Sequence, residues 1–145
     1  MRNAGARRFR PSRCARSCRS ASATSFDPKP VFMEHCTLKF VATGCGGELR
    51  EGSPEAAVCR VCTDSRQVQR GDLFFALRGE RFDAHNFIAD VAARGAAAVV
   101  VEAAKVPLPP PACAVIAVDD TRMALSRLAA AYRSRFELPV VVVGG

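Results

Sequence analysis

The chain has 145 residues, 49% of them hydrophobic, and a formal net charge of +7, which suits one domain with its own apolar core and is too short for two large ones. The charge sits in residues 1–32, where seven Arg and Lys29 stand against Asp27, whereas from Met33 onward 13 basic and 13 acidic residues cancel. That neutrality removes the reason to expect nucleic-acid binding by the folded part, and the absence of any run of about 18 apolar residues excludes a helical membrane span.

Residues 1–32 are rich in Arg and Ser and have no hydrophobic period of 2 or 3.6, so disorder is expected. An organellar transit peptide, a basic nucleic-acid arm and a translation start at Met33 all fit this composition; the last is preferred, because patterning begins only after Met33. Cys14 and Cys18 lie here without a second pair or a histidine nearby, which is poor metal spacing. Seven scattered cysteines with no secretory signal point to free thiols in a reducing cytoplasm.

Thr37 to Ala42 reads as a short helix capped by Thr37, with Leu38, Val41 and Ala42 on one side and Gly44 at its end; Gly46-Gly47 then turns the chain. Val58 to Thr63 reads as a strand. The CxxC of Cys59 and Cys62 falls on it, and strand alternation sends the two thiols to opposite faces, which argues against chelation. After the Arg70-Gly71-Asp72 turn, Leu73 to Leu77 is the next strand. Asp83 opens a helix with Ala84, Phe87, Ile88, Val91 and Ala92 on its apolar face, closed by Gly95. Ala97 to Val101 and Cys113 to Val118 are continuous apolar strands around a proline-rich loop, Val106 to Pro111. Asp119 or Asp120 caps a helix to about Arg135 with a stripe of Leu125, Leu128, Tyr132 and Phe136. Pro139 breaks it, Val140 to Val143 is a last apolar strand, and Gly144-Gly145 follows. Fully apolar strands separated by helices predict an α/β fold with a small, mostly parallel sheet and flanking helices.

Thr63 to Phe87 gathers the polar residues suited to an anionic ligand. Thr63-Asp64-Ser65-Arg66 ends a strand, where open α/β sheets place ligands. Hydroxyls and backbone N–H groups there suit a diphosphate or ribose, and Arg66 suits bidentate pairing with phosphate. An Asx-type turn without a ligand explains Asp64-Ser65 equally well. Arg78-Gly79 follows the neighbouring strand, where glycine permits close backbone approach. His85 has no second histidine or carboxylate at metal or triad spacing, and nothing forms a nucleophile–base pair. The residues alone describe a binding module for an anionic small molecule without a chemical step.

The run from Thr63 to Arg66, then Gly71-Asp72-Leu73-Phe74, Ala76-Leu77 and Gly79-Glu80-Arg81-Phe82-Asp83-Ala84-His85 with Phe87, resembles the N-terminal domain of the Mur ligases. Gly95-Ala96, Val118 to Thr121 and Arg135 to Gly144 extend the likeness over roughly residues 36–145. The Gly79 to His85 run is most similar to the member that adds D-alanyl-D-alanine to UDP-N-acetylmuramoyl-tripeptide. The member adding the third peptide residue shares much of the pattern, and a non-catalytic nucleotide-sugar module is the further alternative.

Residues 1–32, a basic extension by composition, match nothing in the family; the resemblance implies a UDP-sugar-binding domain at residues 33–136 and the first strand of a P-loop ATPase domain at residues 137–145. It implies that Thr63, Asp64, Ser65, Arg66, Arg78, Gly79, Asp83 and His85 serve the UDP moiety. Gly144 and Gly145 would open the ATP-binding loop, whose Lys and Ser/Thr are absent from this chain. ATP and Mg²⁺ are the implied cofactors; the implied partners are the UDP-linked tripeptide and D-alanyl-D-alanine, with no nucleic acid and no membrane. The expected form is a cytoplasmic monomer. The implied reaction phosphorylates the tripeptide carboxylate to an acyl phosphate, which the dipeptide amine converts to an amide. No catalytic residue of the family is expected within this chain.

Overall fold

The computed structural model describes residues 36–79 and 82–137. Thr37 begins the first helix as expected: its Oγ1 accepts from the Phe40 N–H at 3.3 Å. The carbonyls of Ala56 and Pro54 take the N–H groups of Leu38 and Lys39, so little of this helix start is left unpaired. The helix (α1, Leu38–Cys45) runs past Gly44 and ends at Gly46, which is left-handed at φ 68°. Gly44 serves packing instead. A Cβ there would stand 3.2 Å from Leu128 Cδ1 and 3.4 Å from Ala131 Cβ, so its absence lets a later helix lie close.

The described residues form seven strands in chain order: β1 (Cys36–Thr37), β2 (Glu48–Glu51), β3 (Ala57–Val58), β4 (Arg60–Cys62), β5 (Asp72–Phe75), β6 (Ala98–Glu102) and β7 (Ala114–Val118). The expected strand from Val58 to Thr63 is therefore two. β3 pairs antiparallel with β1, and after a break at Cys59 the chain enters the main sheet as β4. That sheet has the order β2-β7-β6-β5-β4. β4, β5, β6 and β7 are parallel, with Cys62 opposite Phe74, Leu73 opposite Ala98, and Ala98 opposite Ala114. β2, antiparallel to β7 with Leu49 opposite Ile116, adds the edge that makes the sheet mixed.

Strand alternation divides the core in two. Leu73, Phe75, Ala98, Val100, Ile116 and Val118 face α1 and the long helix α3 (Thr121–Arg133). Phe74, Ala76, Val99, Val101 and Val115 face the other way, toward Val68, Ile88 and Val91. Asp83 caps a 3-10 turn, Ala84–Phe87, that continues as α2 (Ile88–Ala93), and Gly95 ends the segment at φ 88°. Asp120 is the cap of α3, accepting from the Met123 N–H at 2.8 Å. The buried stripe of α3 is Thr121, Ala124 and Leu128, with Leu125 and Tyr132 partly covered. Phe136 lies past the helix end, exposed, against the edge of Tyr132. The expected strand from Val140 to Val143 lies outside the described residues.

Candidate functional site

The parallel strands send their following loops to one edge of the sheet, and the pairing of Cys62 with Phe74 places the loops after β4 and β5 side by side. Neighbouring strands lie about 4.8 Å apart, so groups on the two loops can meet one small ligand.

Residues 63–71 connect β4 to β5 without a helix. Polar bonds hold this loop instead. The Asp64 carboxylate accepts from the Arg66 N–H at 3.0 Å, from Arg66 Nε at 3.0 Å and from Arg66 Nη2 at 2.9 Å. Gln67 Nε2 reaches the same carboxylate at 3.3 Å, and the Gln67 N–H donates to the Asp64 carbonyl at 3.0 Å. The Arg66 hydrogen bonds hold the Asp64 carboxyl down at about 2, well below the ordinary range. The Asx-type turn is thus present, and the bidentate partner of Arg66 is Asp64. The Cys62 thiol donates to the Asp64 carbonyl at 3.2 Å, and Arg94, just beyond α2, donates to the Arg66 carbonyl at 3.0 Å.

A second tie closes the loop from below. Arg60 donates through Nη2 to Asp72 Oδ2 at 2.6 Å and through Nε to Oδ1 at 3.2 Å. Asp72 is only 2% exposed and also accepts from the Gln69 N–H at 2.8 Å, while Arg60 Nη2 reaches the Gln67 carbonyl at 3.1 Å. Asp72 was expected only to mark a turn, and Arg60 had no assigned role. Partners twelve residues apart carry no local signal of their pairing.

The loop after β5 doubles back on itself. Arg78 bridges Asp83, the Gly79 N–H donates to the Phe82 carbonyl at 2.8 Å, and the Ala84 N–H to the Leu77 carbonyl at 3.1 Å. Phe82, half-exposed, stacks on Phe87 with ring centroids 5.2 Å apart. A Cβ on Gly79 would come no closer than 3.4 Å to the Phe82 carbonyl, so nothing among the described residues uses the close approach a glycine permits there.

Asp83 and His85 form a clip between this loop and the end of β6. Asp83 Oδ1 accepts from the His85 N–H at 3.1 Å and lies 2.6 Å from His85 Nδ1, while Lys105 donates to Oδ2. His85 Nε2 accepts from the Glu102 N–H at 3.1 Å. An Nε2 that accepts carries no proton, so Nδ1–H is the donor to Asp83. Lys105 first, and then His85, hold the Asp83 carboxyl far below the ordinary carboxylate range. The His85 side chain is 6% exposed, which makes it part of the framework. Lys105, missed in the sequence, sits past the end of β6 in a stretch whose only pattern is its approach to the prolines.

The sequence therefore brings Thr63 to Arg66 and Arg78, Gly79, Asp83 and His85 to one edge, and Gly144 and Gly145 lie outside the described residues. Among the described residues no group of three or more His, Cys, Asp or Glu side chains is placed to hold a metal ion. A shallow groove of about 290 Å³ lies elsewhere, between the β2 edge at Arg50 and Glu51 and the proline-rich loop at Val106 and Leu108, and includes none of the candidate residues.

The family profile described as "Mur ligase family, catalytic domain" matches residues 58–133, more than half of the chain and nearly all of this edge. The chain belongs to the Mur ligase family. Among Mur ligases of known assignment, the UDP-N-acetylmuramoyl-tripeptide--D-alanyl-D-alanine ligase of Synechocystis sp. is 38% identical over 115 residues, 79% of this chain and 23% of that protein. The UDP-N-acetylmuramoyl-L-alanyl-D-glutamate--2,6-diaminopimelate ligase of Aquifex aeolicus is 49% identical over 72 residues, 48% of this chain and 14% of that protein. A crystal structure of MurF from Acinetobacter baumannii superposes with a TM-score of 0.61 at 39% identity, covering 68% of this chain and 21% of that one. The chain thus spans less than a quarter of the length of these Mur ligases. The α/β architecture expected from the sequence is the one shared with the MurF structure. Among the described residues, no helix is long and apolar enough to cross a membrane.

Proposed function

We propose that this chain is the nucleotide-binding part of a cytoplasmic, monomeric ligase that adds D-alanyl-D-alanine to UDP-N-acetylmuramoyl-tripeptide at the expense of ATP. The edge formed by Thr63 to Arg66 with Arg78, Gly79, Asp83 and His85 takes the uridine diphosphate end. ATP and Mg²⁺ belong to parts of a longer protein, with Gly144 and Gly145 at the approach to its phosphate loop. The observation that carries this reading is the extent of likeness: D-alanyl-D-alanine-adding relatives match up to 79% of the chain, diaminopimelate-adding relatives up to 64%. The higher identity of the latter, 49% against 38%, favours a second reading as a third-residue-adding ligase.

Titrating the isotopically labelled 145-residue chain with the UDP-linked tripeptide tests the first reading. The amides of Thr63 to Arg66 and Arg78 to His85 are expected to shift, with no ADP released when ATP, Mg²⁺ and D-alanyl-D-alanine are added. Unmoved amides on both loops would sink the binding assignment, and amide-bond turnover by this chain would sink the division of labour. Offering the longer protein either tripeptide with D-alanyl-D-alanine, or dipeptide with diaminopimelate, separates the two ligase readings.

A further inference from the structure

The end of α3 is tied down far from the candidate loops. α3 starts just after β7 ends and runs back across the sheet antiparallel to α1, which sets Gly46 beside Arg127, Gly44 beside Leu128 and Ala131, and Phe40 beside Arg135. Its last residues therefore reach the sheet edge opposite the loops that follow β4 and β5. A segment leaving a domain frays unless something holds it. The helix stops at Arg133, yet each of the next three residues is held. The Ser134 N–H donates to the Ala130 carbonyl at 3.0 Å, the Arg135 N–H to the Tyr132 carbonyl at 3.2 Å, and the Phe136 N–H to the Arg133 carbonyl at 3.1 Å. Arg133 Nη1 returns to the Phe136 carbonyl at 2.6 Å, and the Phe136 ring meets Tyr132 edge-on with centroids 5.1 Å apart.

Those ties are local, and the tie made by Arg135 is not. Its guanidinium lies 4.9 Å from the centre of the Phe40 ring, and its Nη1 donates to the sulfur of Cys36 at 3.7 Å, 99 positions earlier in the chain. Cys36 is buried in β1 and Phe40 packs against the core from α1, so both anchors belong to the framework. A planar cation laid over a ring fixes direction as well as distance. We propose that Arg135 is a positioning residue: its clasp on Phe40 and Cys36 sets the direction in which the chain leaves this domain for the ATP-binding part of the longer ligase. It thereby sets the fraction of molecules in which the bound UDP-linked substrate faces that part. The inference rests on the ligase reading above and assigns a residue to the join between its parts. The clasp touches neither candidate loop, so it acts on turnover and leaves nucleotide binding alone. Losing one exposed cation–π contact can shift the orientation equilibrium only by the free energy of that contact, a factor of about three.

The test measures amide formation by the longer ligase, with ATP and whichever substrate pair it accepts, in the unaltered sequence, Arg135→Ala, Phe40→Leu, the double variant and Arg135→Lys. Arg135→Ala and Phe40→Leu should each lower kcat about threefold and leave KM for the UDP-linked substrate unchanged. The double variant should be no slower than either single one, because both remove the same contact. Arg135→Lys keeps a cation over the ring and should restore most of the rate. Small-angle X-ray scattering gives a readout apart from turnover: both single variants should broaden the distribution of interatomic distances. An unchanged kcat in Arg135→Ala, or losses that multiply in the double variant, overturn the clasp. A KM that rises together with a fall in melting temperature also overturns it, since that pattern marks a damaged domain and not a misdirected one. If the unaltered longer protein forms no amide with either substrate pair, the ligase reading itself fails and this inference falls with it.

Discussion

His85 shows how one side chain can be drawn into the framework by atoms far from it in sequence. It looks like a lone histidine beside an acid, but its Nε2 is taken by a backbone N–H seventeen residues away. Asp83 is partly legible as a helix cap, and its second oxygen is claimed by Lys105. These contacts make a pH prediction. The folded Asp83 carboxyl titrates below its ordinary value of 3.8, as does that of Asp64. A depressed carboxylate contributes stability that is fully present above the unfolded value and is lost as pH falls through the folded one. Melting temperature should therefore be insensitive to these groups from pH 7 to about pH 5 and fall below about pH 4. Asp83→Asn should lower it at pH 7 and flatten the acid decline, as read by circular dichroism. An acid limb as steep as that of the unaltered chain would count against the clip.

At the scale of elements, the β4–β5 crossover depends on charge where most parallel connections depend on a helix. Asp72→Ala leaves the Arg60 guanidinium and the Gln69 N–H without their partner in a mostly buried setting. Urea denaturation should show a loss of about 3 kcal/mol, the magnitude for breaking one side of a buried pair. A loss under about 1 kcal/mol would mean that the loop holds without it. The elements with strong local chemistry were legible: Thr37, Asp83 and Asp120 all cap where their side chains predict. β6 and β7 were legible as uninterrupted apolar runs. β2 was not, because Glu48, Arg50 and Glu51 leave only Leu49 to bury at the sheet edge. In the α3 stripe, Leu125, Leu128 and Tyr132 were legible, whereas Phe136 is apolar but lies beyond the last turn and the small Ala124 and buried Thr121 add to the packing. Arg60 with Asp72, and Lys105 with Asp83, were invisible for a common reason: neither pair obeys a helix or strand period.

Across the whole molecule, the two apolar faces of one sheet are covered differently. Helices α1 and α3 cross closely over one, and α2 with the 63–71 loop covers part of the other. The candidate site emerges at an edge where loops wired by charge meet strands buried on both faces. The family and the fold class were readable from motifs and periodicity; which polar groups remain open to a ligand was readable only from their partners in space.

The edge strand β2 has a kinetic consequence. It comes early in the chain yet, among the described residues, pairs only with β7, the last of their strands, so its docking closes a long loop, whereas β5, β6 and β7 join in sequence order. Such a late-docking strand contributes little to the rate-limiting barrier. Leu49→Ala, which trims its one core side chain, should speed unfolding roughly fivefold for about 1 kcal/mol lost and leave refolding nearly untouched in stopped-flow chevrons. Refolding slowed by the same factor would instead place β2 in the nucleus, and the chain would then have to be synthesised through β7 before any part of the sheet could commit to its native order.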